Sequence, residues 1–196
     1  MNWKSYTITG VVWGIAMFGA EVSRGQAAAR GDFEIKNIRQ QQVDAPSYGG
    51  NADLGGRPAT LWRKWLKIEV QFESKAEWAD DVQVKYYVLM GKGEDRKLFT
   101  GEVTHINVAK GQQHYSAMFI QPNTLKRYGA GQIDQVTVRI FHAGKLASSV
   151  SDPPAAREGW WEKFTPTLGY LLAPQDTPWA PIADERFEAV KPSTRQ

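Results

Sequence analysis

From Asp32 onward the chain alternates apolar and polar residues with a period of two, broken at intervals by glycine and proline. Asp32 to Val43 opens with Phe33 and Ile35 on one face and continues to Ile38. Leu61 to Glu73 places Leu66, Ile68, Val70 and Phe72 on one side against Trp65, Lys67, Glu69 and Gln71 on the other, the pattern of a half-buried strand. Val82 to Met90 sends Val82, Val84, Tyr86, Val88 and Met90 inward; its outward set, Gln83, Lys85, Tyr87 and Leu89, turns apolar at Tyr87. Lys97 to Val108, Gln113 to Gln121, Gln132 to Ala143 and Leu146 to Val150 complete the series, with turns at Gly91 to Asp95, Lys110-Gly111 and Gly144-Lys145. Pro122 to Tyr128, followed by Gly129, predicts one or two helical turns, and Pro46 to Pro58 predicts a loop.

Seven or eight short strands at this spacing, with no long amphipathic helix between them, predict an all-β domain: an immunoglobulin/fibronectin-like β-sandwich with a C-terminal extension packed on one sheet. A barrel is the alternative closure. The sequence contains no cysteine, so the Cys…Trp…Cys pattern of an antibody domain is absent.

Before this series the pattern differs. Lys4 precedes residues 5–20, which are uncharged and mostly apolar, and small residues follow at Gly25 to Ala29. These are the parts of a secretory signal peptide, placed at residues 1–27. An anchoring helix is the competing reading, but 16 uncharged residues that include three Gly, two Thr and a Ser fall short of the roughly 20 apolar residues a bilayer requires. The expectation is therefore an exported chain, not membrane-spanning after cleavage, in the periplasm or at the cell surface of a Gram-negative-type bacterium. A disulfide-free export substrate is most at home in such an envelope.

The remaining chain divides into a sandwich over 28–152 and a Trp/Pro-rich extension over 153–196. That extension is too apolar for a disordered linker. In an immunoglobulin-like arrangement the strand bearing Tyr87 and Leu89 pairs with the one bearing Phe141, all three facing outward. The expected cover for that patch is Trp160, Trp161, Phe164, Tyr170, Leu171 and Leu172.

The same extension carries a resemblance. Its run LLAPQDTPWAPIADERFEAV, Leu171 to Val190, contains Thr177 to Pro181 and then Asp184-x-Arg186-Phe187, and it follows a Gly-Trp-Trp segment behind a strand series. In this it resembles small envelope proteins of the Verrucomicrobia, in particular the immunoglobulin-like proteins of the type IV pilus-like locus of Akkermansia. The resemblance implies a modified immunoglobulin- or fibronectin-type sandwich, a pilus-associated or surface role and no enzymatic activity, and it carries no catalytic residues over. A pilin itself is excluded, because the apolar N-terminal stretch ends at Ala20 and gives way to Arg-, Gly- and Gln-containing sequence.

Charge and chemistry add little. The chain's net charge is +3, and +2 once residues 1–27 are set aside, which is no nucleic-acid binder's balance. His105, His114 and His142 fall in three strand segments without metal-ligand spacing, so neither metal nor cofactor is expected. No Gly-x-Ser-x-Gly elbow frames a nucleophile. Asp80-Asp81 and Glu94-Asp95 read as loop charges, the first pair also as a conceivable calcium site. Six tryptophans follow residue 27; Trp160, Trp161 and Trp179 are assigned to holding the extension, while Trp65 and Trp78 are the candidates for an exposed binding surface. The function expected from all this is a non-enzymatic exported module that makes protein contacts, with a pilus or envelope component or a host surface. Carbohydrate binding through exposed Trp rings is the alternative.

Overall fold

Alternation of side chains is satisfied by two sheets packed face to face, antiparallel except for one short edge pairing. The computed structural model describes residues 31–46, 64–128, 133–185 and 187–192. The expected signal segment lies outside these residues, as does most of the loop expected at 46–58. Among the described residues the strands are β1 (Phe33–Asp44), β2 (Lys64–Ala79), β3 (Val82–Met90), β4 (Lys97–His105), β5 (Val108–Ile120), β6 (Ile133–His142), β7 (Lys145–Asp152), β8 (Pro166–Thr167) and β9 (Leu171–Leu172), with one helix, α1 (Pro122–Tyr128), between β5 and β6. No helix among them is long and apolar enough to cross a membrane.

One sheet runs β1-β2-β5-β9 and the other β7-β6-β3-β4-β8. The first three strands of one sheet and β7-β6-β3 of the other reproduce immunoglobulin-like connectivity, but β4 lies beside β3, whereas in a constant-type domain the corresponding strand lies beside the counterpart of β5. The fold is an all-β sandwich. The inward face of β3 is sealed at every position, Val82 through Met90 by twos, against Ile68, Val70 and Phe72 of β2 and Val136, Val138 and Ile140 of β6. Each such side chain contributes about 1.5–3 kcal/mol on burial. On one flank the sandwich is closed by β1 and β7, where the Ile35 amide donates to Ser148 Oγ at 3.1 Å and Gln40 Nε2 donates to Asp152 Oδ2 at 3.1 Å.

The other flank is closed by the extension, and here the expected packing on one sheet needs correction. After β7 the chain crosses the outer face of the β3-containing sheet with Trp160, Trp161 and Phe164, then adds β8 in parallel to β4 through Leu98↔Pro166 and Phe99↔Thr167. It next crosses to the other sheet, where β9 pairs with β5 through Phe119↔Leu172 and Ile120↔Leu171. Trp179 and Phe187 then cover that sheet's outer face, and Val190 bridges back to His105 on β4. The segment is a strap that touches both sheets. The physical reason is that β4 and β5 are both edge strands on this flank, and each needs its open main chain paired.

Candidate functional site

Trp161 is buried against Leu89 and Leu98, its ring stacked on Tyr87 with centroids 4.7 Å apart. The Trp160 indole donates to Thr137 Oγ1 at 2.7 Å. Phe141, expected under the same cover, instead lies in reach of two cations, Arg139 at 5.0 Å and Lys85 at 5.3 Å from its ring. It sits across from Gln83, six residue pairs along β3 from Leu89, so the strap's aromatic cluster does not reach it. Leu171 and Leu172 are also displaced from the expected face. Leu171 enters the core between the sheets, and Leu172 packs on the far side among Trp65, Phe119 and Trp179, because consecutive strand residues point to opposite faces.

Trp65 corrects a further expectation. It is 9% exposed, held edge-on to Trp179 at 5.4 Å, while Phe119 stacks on the same Trp179 ring at 4.6 Å. Outward parity on β2 made it look free, and a segment more than a hundred residues later covers it. Trp78, near the end of β2, is 70% exposed.

The strap is locked by polar groups that alternation alone does not single out. His105 and His114 lie on consecutive strands of different sheets rather than facing each other across one hairpin. Both instead flank the Phe72 ring, at 6.3 and 5.4 Å, and both meet Glu188. His105 Nδ1 lies 3.2 Å from the Glu188 carbonyl, and His114 Nδ1 lies 2.7 Å from the Glu188 carboxylate. On its other side His105 Nε2 lies 2.8 Å from Ser116 Oγ, which accepts from the Tyr86 hydroxyl at 2.8 Å. A carbonyl can only accept, so the network assigns the proton of neutral His105 to Nδ1; Nε2 then accepts from Ser116 and Ser116 accepts from Tyr86. Burial holds the His105 imidazole below its ordinary pKa and pushes the Tyr86 phenol up. The Ser116–His105 pair has hydrogen-bond geometry, yet both residues are buried beneath the strap, and their bonds hold Glu188 in place.

The Asp80-Asp81 pair is similarly engaged. Asp80 Oδ1 accepts from the Asn107 amide at 2.8 Å, and Asp81 Oδ1 pairs with Lys191 Nζ at 2.6 Å, which raises the lysine's pKa. His142 stands apart, edge-on to Phe33 at 5.2 Å. Among the described residues no group of three His, Asp or Glu side chains is arranged to hold a metal.

Open to solvent beside the strap is a cleft of about 580 Å³ between Thr100, Gly101 and Glu102 of β4 and Leu168, Leu171 and Asp176 of the extension. At its wall Gly101 admits Leu171: a Cβ there would lie 2.5 Å from Met118 Cε and 2.8 Å from Leu171 Cβ. Lys191 N donates to the Thr104 carbonyl, so by strand alternation Glu102 presents its main-chain groups to the same edge, between β8 and the Val190 bridge. Leu168 at the lip is 75% exposed.

Comparison with known proteins places this architecture. No curated protein matches the sequence. A crystal structure of a protein from Akkermansia muciniphila superposes with a TM-score of 0.70 at 19% identity, covering 83% of this chain and 94% of that one, and so shares the fold. A family model matches residues 24–194, sandwich and strap together. By that match the chain belongs to the family, with a fold of the type seen in the A. muciniphila protein.

Proposed function

We propose that this chain is a non-enzymatic, exported, pilus-associated module that works through protein contacts, binding an extended segment of a pilus or envelope component at the β4 edge. The observation that carries the reading is the cleft beside Gly101. It offers the outward main-chain groups of Glu102, between β8 and the Val190 bridge, next to the exposed Leu168 side chain, a combination suited to strand addition with one apolar anchor. Family membership, together with the resemblance carried by Thr177 to Pro181, supports a pilus-associated setting. The side chains best suited to chemistry, His105, Ser116 and His114, are occupied in holding the strap. The carbohydrate reading loses its paired platform, since Trp65 lies under Trp179 and leaves Trp78 as a single ring.

Co-sedimentation of the exported protein with purified pili of the source bacterium tests this. The wild-type chain is expected in the pellet, with Leu168→Asp and Glu102→Pro each reducing the bound fraction severalfold. Proline at position 102 deletes an outward-facing donor and leaves the β3 ladder intact. Absence from the pellet, or variants that sediment like wild type, would reject the reading.

A further inference from the structure

At one end of the sandwich, two segments distant in sequence bring their cations to a common concavity. The turn between β3 and β4 supplies Lys92, the start of β4 supplies Lys97, and the last turn of α1 supplies Lys126 and Arg127; with Tyr128 and a single carboxylate, Asp95, they line a cleft of about 470 Å³. The turn is held in shape by Gly91, whose φ of 116° suits glycine and where a Cβ would lie 2.9 Å from the Asp95 carbonyl. The Arg127 guanidinium lies over the Tyr128 ring at 4.8 Å, which limits its rotamer freedom. Among the described residues, none of the ion pairs engages Lys92, Lys97 or Arg127.

A chain whose charge is nearly balanced overall thus concentrates positive charge at one hollow. Like charges brought together repel, and a bound anion relieves that repulsion. We infer that this cleft binds a phosphate or sulfate ester carried by a saccharide. Lys92 and Lys97 on one wall and Arg127 on the other suit a compact, multiply charged oxyanion. The volume lies within the range of small-molecule sites and admits a single sugar ring. This site is separate from the β4 edge, so it stands or falls independently of the pilus reading.

The test is titration of the exported protein with a sulfated heparin hexasaccharide, alongside a neutral dextran oligomer of equal length and phosphatidylglycerol vesicles. The expected result is binding of the sulfated probe that weakens as salt is raised, with no binding of dextran. Lys92→Glu/Lys97→Glu should lower affinity by about tenfold or more, as expected for losing two close charge contacts. Lys75→Glu/Lys145→Glu, the same change in net charge at the opposite end of the sandwich, should lower it by less than about twofold. Melting temperatures of both variants report that the fold is kept. No binding of the sulfated probe, equal binding of dextran, equal loss in both double variants, or vesicle binding that the hexasaccharide does not displace would each overturn the assignment.

Discussion

Leu171 stands where a side chain on residue 101 would have to go, with its Cβ 2.8 Å from the position a Cβ on Gly101 would take. The strap enters the core at this point, and it can do so only because β4 has no side chain there. Gly101→Val should therefore dislodge β9. Met118 can swing its terminal methyl aside, but Leu171 Cβ is fixed to a strand paired through Ile120. The expected cost is about 1–3 kcal/mol, the range for overpacked cores, seen as a lower melting temperature and faster proteolysis at Arg157 and Lys163. Wild-type resistance to protease in this variant would refute the role assigned to Gly101.

Deleting residues 153–196 should be worse. It uncovers Leu89 and Leu98 on one sheet and Trp65 and Phe119 on the other, and removes Glu188 from the two histidines. The loss should approach the whole margin of about 5–15 kcal/mol that typical domains possess. Calorimetry and light scattering should show an aggregated or unfolded product. An unchanged melting temperature would mean that the strap is only a binding appendage.

Stability should depend on pH through His105. Burial holds its folded-state pKa below the ordinary value, so the native state keeps the ring neutral while the unfolded chain takes up a proton. The contribution is present in full above the unfolded value of about 6.5 and is lost as pH falls from there toward the lower folded value, at a slope of at most about 1.4 kcal/mol per pH unit. His105→Gln, which cannot titrate, should show a shallower fall in unfolding free energy between about pH 7 and pH 5. Parallel curves for the two proteins would assign the dependence to other groups.

The two tryptophans of β2 should part company under substitution. Trp65→Ala removes a ring packed against Trp179 and should cost about 3–5 kcal/mol. Trp78→Ala, at 70% exposure, should change stability by less than about 0.5 kcal/mol. Urea denaturation of the pair decides it, and similar midpoints would contradict the packing described for Trp65.

The period-two pattern by itself determined the class of fold, the positions of the main strands and the inward faces of β2, β3 and β6, because a half-buried strand must put its apolar residues on one side wherever it pairs. The same alternation marked Tyr87 and Leu89 as an apolar outer surface, and proline with glycine bracketed α1. Strand partners two steps away in space leave no such trace. Which edge each piece of the extension would join depended on where β4 and β5 ended, so Leu171 and Leu172 could not be placed from parity within the extension, and Trp65 could not be recognised as covered. The Tyr86–Ser116–His105–Glu188 chain and the cations gathered at Lys92, Lys97, Lys126 and Arg127 were also decided only in three dimensions. Their members are scattered along the sequence with no spacing to link them, and it is the packing of the two sheets, with the strap drawn across the open flank, that sets them within reach of one another.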